Sequence, residues 1–531
     1  MDYFRTLMKV PGHRRERPDG HGVALGALFV LLGLAVDDFG ADWPQYRGPT
    51  HDGISTDRIN RQWSGSVTNP VWLRPVTNCL GSFAVSGGRA FTQTRRAIGG
   101  ISKEICVALD VSSGAELWMA PVDDASYPDG GVGFDDGPRS TPSVDGGSVF
   151  VLSSYLKLSR LNATNGALIW QRDLRTLYGG QVIGWQNAAS PLLEGGRIFV
   201  NANCGSATLM ALRTEDGTPA WRSQNEAMTH STPVLATIHG VSQVIFATQS
   251  GLVSLEPSSG NLLWRFSYPF IYGTSIGVSP VVYDDMIFIC GAHAYGMGSV
   301  VVQANYAENA WTTTRLWWTN NPSAHWMTPV AYQGHLYGQF GIQQFDSVTA
   351  QLKCIDMRTG AVKWSSNGFG RGGTLLVDGH LLVLSETGQL VLAEPNAVAY
   401  TEVGRFPAIP NYNQITNKCW NSPAVCDGRV YVRSTACAAC FDLSMPPIKL
   451  DPPQFLTADQ LQLTIRTVNG APLDSNRLAG LEVRVATNLG PSLGQWTPLT
   501  NNLVLTGGVA RVDDLPSPTQ PQRFYLVTEP Q

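Results

Sequence analysis

A short unit recurs along the chain, and it constrains the fold more than any other feature. In its clearest copy, Cys106 to Trp118, an apolar strand ends at Asp110, a tight turn follows at Gly114, and Trp118 comes four residues later. The same frame returns in the segments LNATNGALIW, LRTEDGTPAW, LEPSSGNLLW and IDMRTGAVKW. Strand-forming repeats with a period of roughly 43 to 52 residues are typical of the blades of a β-propeller.

Each part of the unit has a physical role. Glycine adopts the positive φ that a tight hairpin needs, and the Asp, Asn, Ser and Thr residues before it hydrogen-bond to the turn backbone. The tryptophan lies on the outermost strand, where a flat ring packs between neighbouring blades. Stacking on a sugar or cofactor is the alternative, but the regular position of the ring favours packing. We predict this docking role for Trp72, Trp118, Trp170, Trp221, Trp264, Trp318 and Trp364.

The number of blades follows from the strands that open them. Such strands begin with a small hydroxyl residue, usually before proline, at Ser82, Thr141, Ser190, Thr232, Ser279, Thr328, Thr374 and Ser422. Two blades end in degenerate copies, RLWW and NAVAY, and the last lacks an outer strand. The segment Pro70 to Arg74 completes it and closes the ring, which removes open sheet edges. We therefore predict an all-β, eight-bladed propeller of four-stranded antiparallel blades, or seven if a degenerate unit is misread.

The two ends of the chain differ from the repeats. Residues 1–41 combine basic residues with the apolar run Val23 to Val36, which is typical of a secretory signal; an uncleaved anchor is the alternative. We expect export to the periplasm, cell envelope or extracellular space, with no membrane span after cleavage. Residues 446–458 are proline-rich and predict a linker. Residues 459–531 alternate apolar and polar positions and predict a small β-sandwich-like module for attachment or spacing.

The segment Trp43 to Ser55, WPQYRGPTHDGIS, precedes the repeats, whose pattern is LD-x-x-[ST]-G-x-x-x-W. Together they resemble the secreted bacterial PQQ-binding-like β-propeller repeat proteins, which share the propeller of quinoprotein alcohol dehydrogenases. The resemblance covers residues 42–445. It implies a propeller closed by an N-terminal strand, whereas the family name reflects likeness to the dehydrogenase repeats rather than a bound quinone.

Long loops gather on one face of the predicted propeller, and such loops carry binding residues. The residues just ahead of each inner strand should surround the central channel there: Arg139, Asn187, His230, Ser275, His325, Trp326, Arg371, Trp420 and Asn421. These side chains suit a small anionic or aromatic ligand, or an acidic segment of an unidentified protein partner. Alternatively, they hold only the crossover backbone. The sequence favours an exported, non-catalytic binding or scaffold protein that acts through this face.

The alternative function is that of a PQQ-dependent alcohol or sugar dehydrogenase with Ca²⁺. Enzymes of that class have adjacent cysteines over the quinone, calcium ligands and an aspartate base, but this chain has no Cys-Cys pair. Asp135, near Arg139, is the best candidate for a base. Outside this alternative we predict no cofactor and no metal site.

The nine cysteines divide into two groups. Cys419, Cys426, Cys437 and Cys440 cluster in the closing blade, where one or two disulfides would secure the joint. The other five are scattered and fit buried free thiols. The net charge of −4 gives no reason to expect nucleic-acid binding, and we expect a monomer.

Overall fold

The computed structural model describes residues 6–11, 42–63, 65–125, 137–269, 276–291, 298–341, 350–457, 460–487, 496–515 and 522–529. The chain forms two compact units, Gly40–Ser444 and Met445–Gln531 with Met1–Phe39. Most of the predicted signal lies outside the described residues; its described part is strand β1 (Thr6–Pro11). Among the helices that the structure describes, none is long and apolar enough to cross a bilayer.

Four-stranded antiparallel sheets build the larger unit, which confirms the predicted all-β architecture. It begins with β2 (Ile54–Ser55), a 3-10 turn at Gly65–Thr68 and β3 (Trp72–Pro75). Sheet 1 contains β4 (Ala84–Ser86), β5 (Arg89–Ile98), β6 (Ile101–Asp110) and β7 (Glu116–Asp124); sheet 2 contains β8 (Ser143–Asp145), β9 (Ser148–Leu152), β10 (Lys157–Asn162) and β11 (Leu168–Asp173). A short helix, α1 (Leu174–Tyr178), follows sheet 2. Sheet 3 contains β12 (Leu192–Glu194), β13 (Arg197–Asn201), β14 (Leu209–Arg213) and β15 (Pro219–Ser223); sheet 4 contains β16 (Val234–Ile238), β17 (Val241–Thr248), β18 (Gly251–Leu255) and β19 (Leu262–Ser267).

The second half of this unit continues the pattern. Sheet 5 contains β20 (Val281–Tyr283), β21 (Met286–Cys290), β22 (Ser299–Ala307) and β23 (Ala310–Thr319); sheet 6 contains β24 (Val330–Tyr332), β25 (His335–Phe340), β26 (Gln351–Asp356) and β27 (Val362–Ser366). Sheet 7 contains β28 (Gly373–Val377), β29 (His380–Leu384), β30 (Gln389–Ala393) and β31 (Glu402–Pro407), with β2 added in parallel to β28. Sheet 8 contains β32 (Ala424–Cys426), β33 (Arg429–Arg433) and β34 (Cys437–Asp442), and β3 is its fourth strand.

The repeated turn glycines have two roles. Gly114 has a φ of 66°, and Asp110 accepts hydrogen bonds from the N–H groups of Ser112 and Ser113, as the sequence suggests. A Cβ on Gly114 would also lie 2.5 Å from the ring of Trp72, which comes from sheet 8. The same close contact joins the turn glycines of sheets 2, 3, 4 and 6 to the indoles of the preceding sheets. Glycine is therefore needed both for the turn and for space against the indole.

Hydrogen bonds fix these indoles against the neighbouring sheet. The indole N–H of Trp118 donates to the carbonyl of Ala163 at 3.0 Å, three residues before Gly166. Equivalent bonds to the next sheet are made by Trp72, Trp170, Trp221 and Trp364. Trp264 is buried too, but its N–H donates to Gln243 of its own sheet.

The prediction for Trp318 is wrong. Trp318 is 45% exposed, and its indole N–H donates to the hydroxyl of Tyr268, which follows sheet 4, at 3.0 Å. The neighbouring Trp317 instead donates to Met357 O at 2.8 Å and contacts Gly360 of sheet 6. A register shift explains the difference: the strand pairing changes between Val301 and Val302, directly beside Trp317, as it does beside the docking tryptophans of the intact repeats.

The N-terminal strand closes the larger unit. Trp72 lies opposite Cys440 in the antiparallel pair of β3 and β34. Arg433, which is fully buried, donates to Thr92 Oγ1 and to the carbonyls of Gln93 and Thr77, and so joins sheet 8 to sheet 1. Because a buried cation is costly unless its hydrogen bonds are satisfied, these contacts fix the joint.

The predicted disulfides of the closing sheet are not formed, since all nine cysteines are free thiols. Cys426 lies on β32, and Cys437 and Cys440 lie on β34, with β33 between the two strands. Two strand spacings amount to about 9.5 Å, beyond the roughly 7 Å that a disulfide spans between Cα atoms. Cys437 and Cys440 face opposite sides of one strand, and the thiol of Cys419 is directed to Arg433 O.

The smaller unit has two sheets around one core. Its elements are β35 (Ile448–Leu450), β36 (Gln454–Thr457), β37 (Gln460–Thr467), α2 (Ser475–Ala479), β38 (Glu482–Ala486), β39 (Thr497–Pro498), β40 (Val504–Thr506), β41 (Val509–Asp514) and β42 (Gln522–Thr528). One sheet has the order β1-β42-β38-β39, and the other is β35-β37-β41-β40 with β36 paired to β37. The predicted linker is therefore wrong in part: Ile448 and Leu450 are buried, and the adjoining prolines lie outside β35, where no ladder N–H is lost.

Candidate functional site

The predicted channel residues stand, as the repeat implies, just before the inner strands of their sheets. Two of the predictions, Ser275 and Asp135, lie outside the described residues. The other eight divide into a group that supports backbone and a group that forms a cluster.

The side chains of the backbone-supporting group donate hydrogen bonds to loop carbonyls. Asn187 and Asn421 are almost fully buried, and their amides donate to carbonyls, that of Asn421 to Gly81 O at 2.6 Å across the closing joint. Arg139 donates to Trp185 O at 3.1 Å, and His230 donates to Gln186 O at 2.8 Å. These contacts hold the loop ahead of sheet 3.

The second group brings aromatic and cationic side chains together across sheets 6, 7 and 8. We call it the aromatic–cation cluster, and its members are His325, Trp326, Arg371, Lys418 and Trp420. The rings of Trp326 and Trp420 lie 4.7 Å apart, tilted by 42°. The guanidinium carbon of Arg371 lies 5.2 Å and 5.4 Å from the two ring centres, and Lys418 Nζ lies 4.9 Å from that of Trp420. Cation–π attraction favours this arrangement.

A buried carboxylate positions one side of the cluster. Glu386 accepts hydrogen bonds from the indole N–H of Trp420 at 2.9 Å, the hydroxyl of Tyr412 at 3.2 Å and the backbone N–H of Arg371 at 2.8 Å. Burial, followed by the charge of Glu386, raises the pKa of Tyr412, so its hydroxyl stays protonated and donates. Both carboxylate oxygens are therefore engaged.

Two polar atoms of the cluster have no hydrogen-bond partner among the residues that the structure describes. They are Trp326 Nε1 and His325 Nδ1, both buried, on rings whose centres lie 4.1 Å apart. Burial, with smaller contributions from the charges of Arg371 and His230, lowers the pKa of His325 to about 3, so its imidazole is neutral at pH 7. Buried donors and acceptors normally have partners, so an ordered water or a ligand group is expected beside these atoms.

Comparisons with known proteins agree with this architecture. Residues 102–366 match the sequence family described as outer membrane protein assembly factor BamB. The quinohemoprotein alcohol dehydrogenase of Comamonas testosteroni superimposes with a TM-score of 0.52 at 12% identity, over 82% of this chain and 84% of that one. BamB from Moraxella catarrhalis gives a TM-score of 0.47 at 14% identity, over 70% and 97% of the two chains. A search of curated protein sequences finds no match.

The chain is a PQQ-like β-propeller protein. This agrees with the resemblance carried by its repeats and by residues 43–55.

The cluster of this PQQ-like propeller does not fit a quinone. A planar cofactor between two rings needs about 7 Å between them, two contact distances of about 3.5 Å, whereas Trp326 and Trp420 are 4.7 Å apart. The carboxylate beside the cluster, that of Glu386, already accepts hydrogen bonds from three donors. Among the described residues, no three His, Cys, Asp or Glu side chains group as metal ligands.

Sequence reasoning found most of the cluster but missed Glu386, Lys418 and Tyr412. The spacing of His325, Trp326, Arg371 and Trp420 ahead of inner strands was sufficient to place them. Glu386 follows β29 on another part of sheet 7, and no spacing rule connects it to the channel.

Proposed function

We propose that this protein is a non-catalytic binding propeller of the cell envelope, and that its aromatic–cation cluster holds an acidic segment of a partner protein. The observation that carries this proposal is the pair of buried, unpartnered atoms, Trp326 Nε1 and His325 Nδ1, beside Arg371. An indole N–H and a guanidinium together suit a carboxylate, which accepts hydrogen bonds and carries negative charge.

Two features support binding rather than chemistry. Glu386 is saturated with hydrogen bonds, and neutral His325 is buried, so neither is poised as a general base in the described site. The cluster also draws on three successive sheets, which suits an extended segment better than one small molecule. Export is supported by the family description, an outer membrane protein assembly factor, and by the basic and apolar stretch in residues 1–41.

Fluorescence anisotropy with a labelled, glutamate-rich hexapeptide containing one tyrosine tests the proposal. We expect binding to the full chain, and a loss of roughly tenfold or more in Arg371→Gln, because a hydrogen bond to a charged group contributes about 1.5 to 3 kcal/mol. Arg213→Gln is the matched control, since Arg213 is exposed on an outer hairpin of sheet 3.

Equal affinity of Arg371→Gln and the native chain would contradict the proposal, as would equal binding of a lysine-rich hexapeptide. Benzoate is a further probe: if it binds and the glutamate peptide does not, the cluster takes a small aromatic acid and the protein-partner proposal is lost. The quinone alternative is tested by absorbance after addition of PQQ and calcium, where a bound-quinone spectrum with dye-linked alcohol oxidation would replace our proposal.

A further inference from the structure

The segment Trp43 to Ser55 occupies the face opposite the long loops, where the short hairpins between first and second strands lie. In four sheets it bonds to the inner strand at the residue before the last of the strand. The N–H of Val85 donates to Trp43 O at 2.8 Å, and that of Val144 donates to Pro44 O at 2.7 Å. In sheet 3 the segment uses a side chain instead, because Leu193 N donates to Gln45 Oε1 at 3.0 Å. In sheet 7 Leu376 N donates to Gly53 O at 2.9 Å.

The alternation of antiparallel pairing explains this regularity. The last residue of each inner strand is the closing pair of its hairpin, so the residue before it belongs to a pair whose N–H and C=O point away from the second strand. These groups face the channel edge. Segment 43–55 satisfies them in sheets 1, 2, 3 and 7.

Sheets 4 and 5 have the same free edge. By register, the equivalent residues are Thr237, opposite Ser242, and Val282, opposite Ile287. Within the described sheets β16 and β20 are edge strands, with the second strand as their one paired neighbour. Thr237 and Val282 both line a cleft of about 450 Å³, bounded on its other side by segment 43–55. The cleft therefore lies where the segment leaves two inner strands uncovered.

The floor of the cleft contains a second unsatisfied group. His51 is 6% exposed and lines the cleft, and no described residue forms a hydrogen bond with its Nδ1. Arg47 also lines the cleft, but its side chain has hydrogen-bond partners: the guanidinium donates to the carbonyls of Asp52, Thr328 and Pro329. Burial lowers the pKa of His51 to about 4, so it presents a neutral ring.

Acidic residues surround the opening. Asp52, Glu194 and Asp284 line the cleft, against the single cation of Arg47. The site is thus negative, opposite in sign to the aromatic–cation cluster on the other face.

We propose that this cleft binds an extended, basic peptide segment of a partner protein, which adds to the edges of β16 and β20 as segment 43–55 adds to other inner strands. Backbone pairing would satisfy Thr237 and Val282, lysine or arginine side chains would meet the acidic opening, and one polar group of the peptide would reach His51 Nδ1. This is strand addition to an exposed edge, with charge giving the preference.

The probe is a blocked, labelled hexapeptide of alternating lysine and valine, measured by anisotropy on the full chain. We expect saturable binding that weakens about tenfold in the double variant Glu194→Gln, Asp284→Asn, roughly threefold for each charge lost at an exposed position. Asparagine is chosen at 284 because that residue has a φ of 53°, which Asn tolerates. The matched control is Glu215→Gln, Glu308→Gln, which removes two exposed carboxylates of outer hairpins.

Three results would overturn the inference: equal affinities of the double variant and its control, equal binding of the glutamate–valine peptide, or unchanged binding of a peptide with every second amide N-methylated. The last would mean that strand pairing plays no part. Thr237→Pro gives an independent check, since it removes an edge N–H without removing a ladder bond and should weaken the peptide several-fold. Arg371→Gln should leave this binding unchanged, which separates the cleft from the cluster.

Discussion

Replacing Gly166 by alanine tests whether the repeat glycines are required by the indoles as well as by the turns. Gly166 has a φ of 73°, and a Cβ there would lie 2.6 Å from the ring of Trp118. Gly146, in another hairpin of the same sheet, has a φ of 53° and would place its Cβ with no atom within 4 Å. The two positions therefore share backbone strain and differ in the indole contact.

The expected magnitudes follow from that difference. Alanine in a left-handed conformation costs about 1 to 2 kcal/mol at either position. At Gly166 the indole must also move, which adds about 1 to 3 kcal/mol of overpacking. Displacing the ring weakens the hydrogen bond from Trp118 to Ala163, 3.0 Å long, by roughly another 1 kcal/mol. We expect Gly166→Ala to reduce the free energy of unfolding by about 3 to 6 kcal/mol and Gly146→Ala by about 1 to 2 kcal/mol.

A double-mutant cycle isolates the contact. In the Trp118→Ala background there is no ring to displace, so Gly166→Ala should cost only the strain of about 1 to 2 kcal/mol. Urea unfolding, monitored by far-UV circular dichroism, gives the free energy of unfolding of the native protein, the two single variants and the double variant. The signal comes from the backbone, so deleting the indole does not remove it. If Gly166→Ala costs no more than Gly146→Ala, or costs the same with and without Trp118, the glycine serves the turn alone and the docking argument fails.

Three further predictions use the same unfolding measurement. Trp317→Ala should cost about 3 to 5 kcal/mol, because its ring packs on the next sheet. Trp318→Ala should cost about 1 to 2 kcal/mol, because Trp318 is half exposed and donates a hydrogen bond to Tyr268. The reverse order would restore the original assignment. Arg433→Met should lower stability by about 3 kcal/mol or more, since it leaves the carbonyls of the closing joint without a donor, and an unchanged midpoint would show that the joint does not need it. The pKa of His325 is about 3 in the fold, below its ordinary 6.5, so the unfolded state binds the proton first. The stability that neutral His325 contributes is fully present above pH 6.5 and is lost as the pH falls toward 3, by at most about 1.4 kcal/mol per pH unit. The free energy of unfolding of His325→Gln should therefore depend less steeply on pH in this range.

The fold was predictable because its signals are local. Each hairpin needs a glycine at a fixed position, and a tryptophan follows it by four residues, so the pattern can be recognised in a single sequence. Where a hairpin lengthens, as between β22 and β23, the spacing from glycine is lost, and the bulge beside Trp317 decides which of two adjacent indoles turns inward. A bulge depends on how two strands pair, so the sequence of one strand alone does not predict it.

The candidate site was predictable only in part, for a related reason. Trp326, Arg371 and Trp420 lie two or three residues before the hydroxyl residue that opens their repeats, so their common location follows from counting. Their contacts depend on side-chain direction and on Glu386, which belongs to a different phase. The disulfide prediction failed in the same way: nearness in sequence brought three cysteines into one sheet and a fourth just ahead of it, but strand order kept Cys426 away from Cys440.

The aromatic–cation cluster and the cleft differ in charge because they are built from different parts of the chain. On the loop face the repeats themselves supply Arg371, two residues before inner strand β28, and Lys418, two residues before Trp420. On the hairpin face, segment 43–55 contributes one buried arginine, Arg47, whose guanidinium donates hydrogen bonds to carbonyls. The carboxylates that line the cleft outnumber this cation, so the cleft is negative. Segment 43–55 pairs with the inner strands of only some of the sheets. The inner strands of sheets 4 and 5, with which it does not pair, keep edges that can form the same hydrogen bonds.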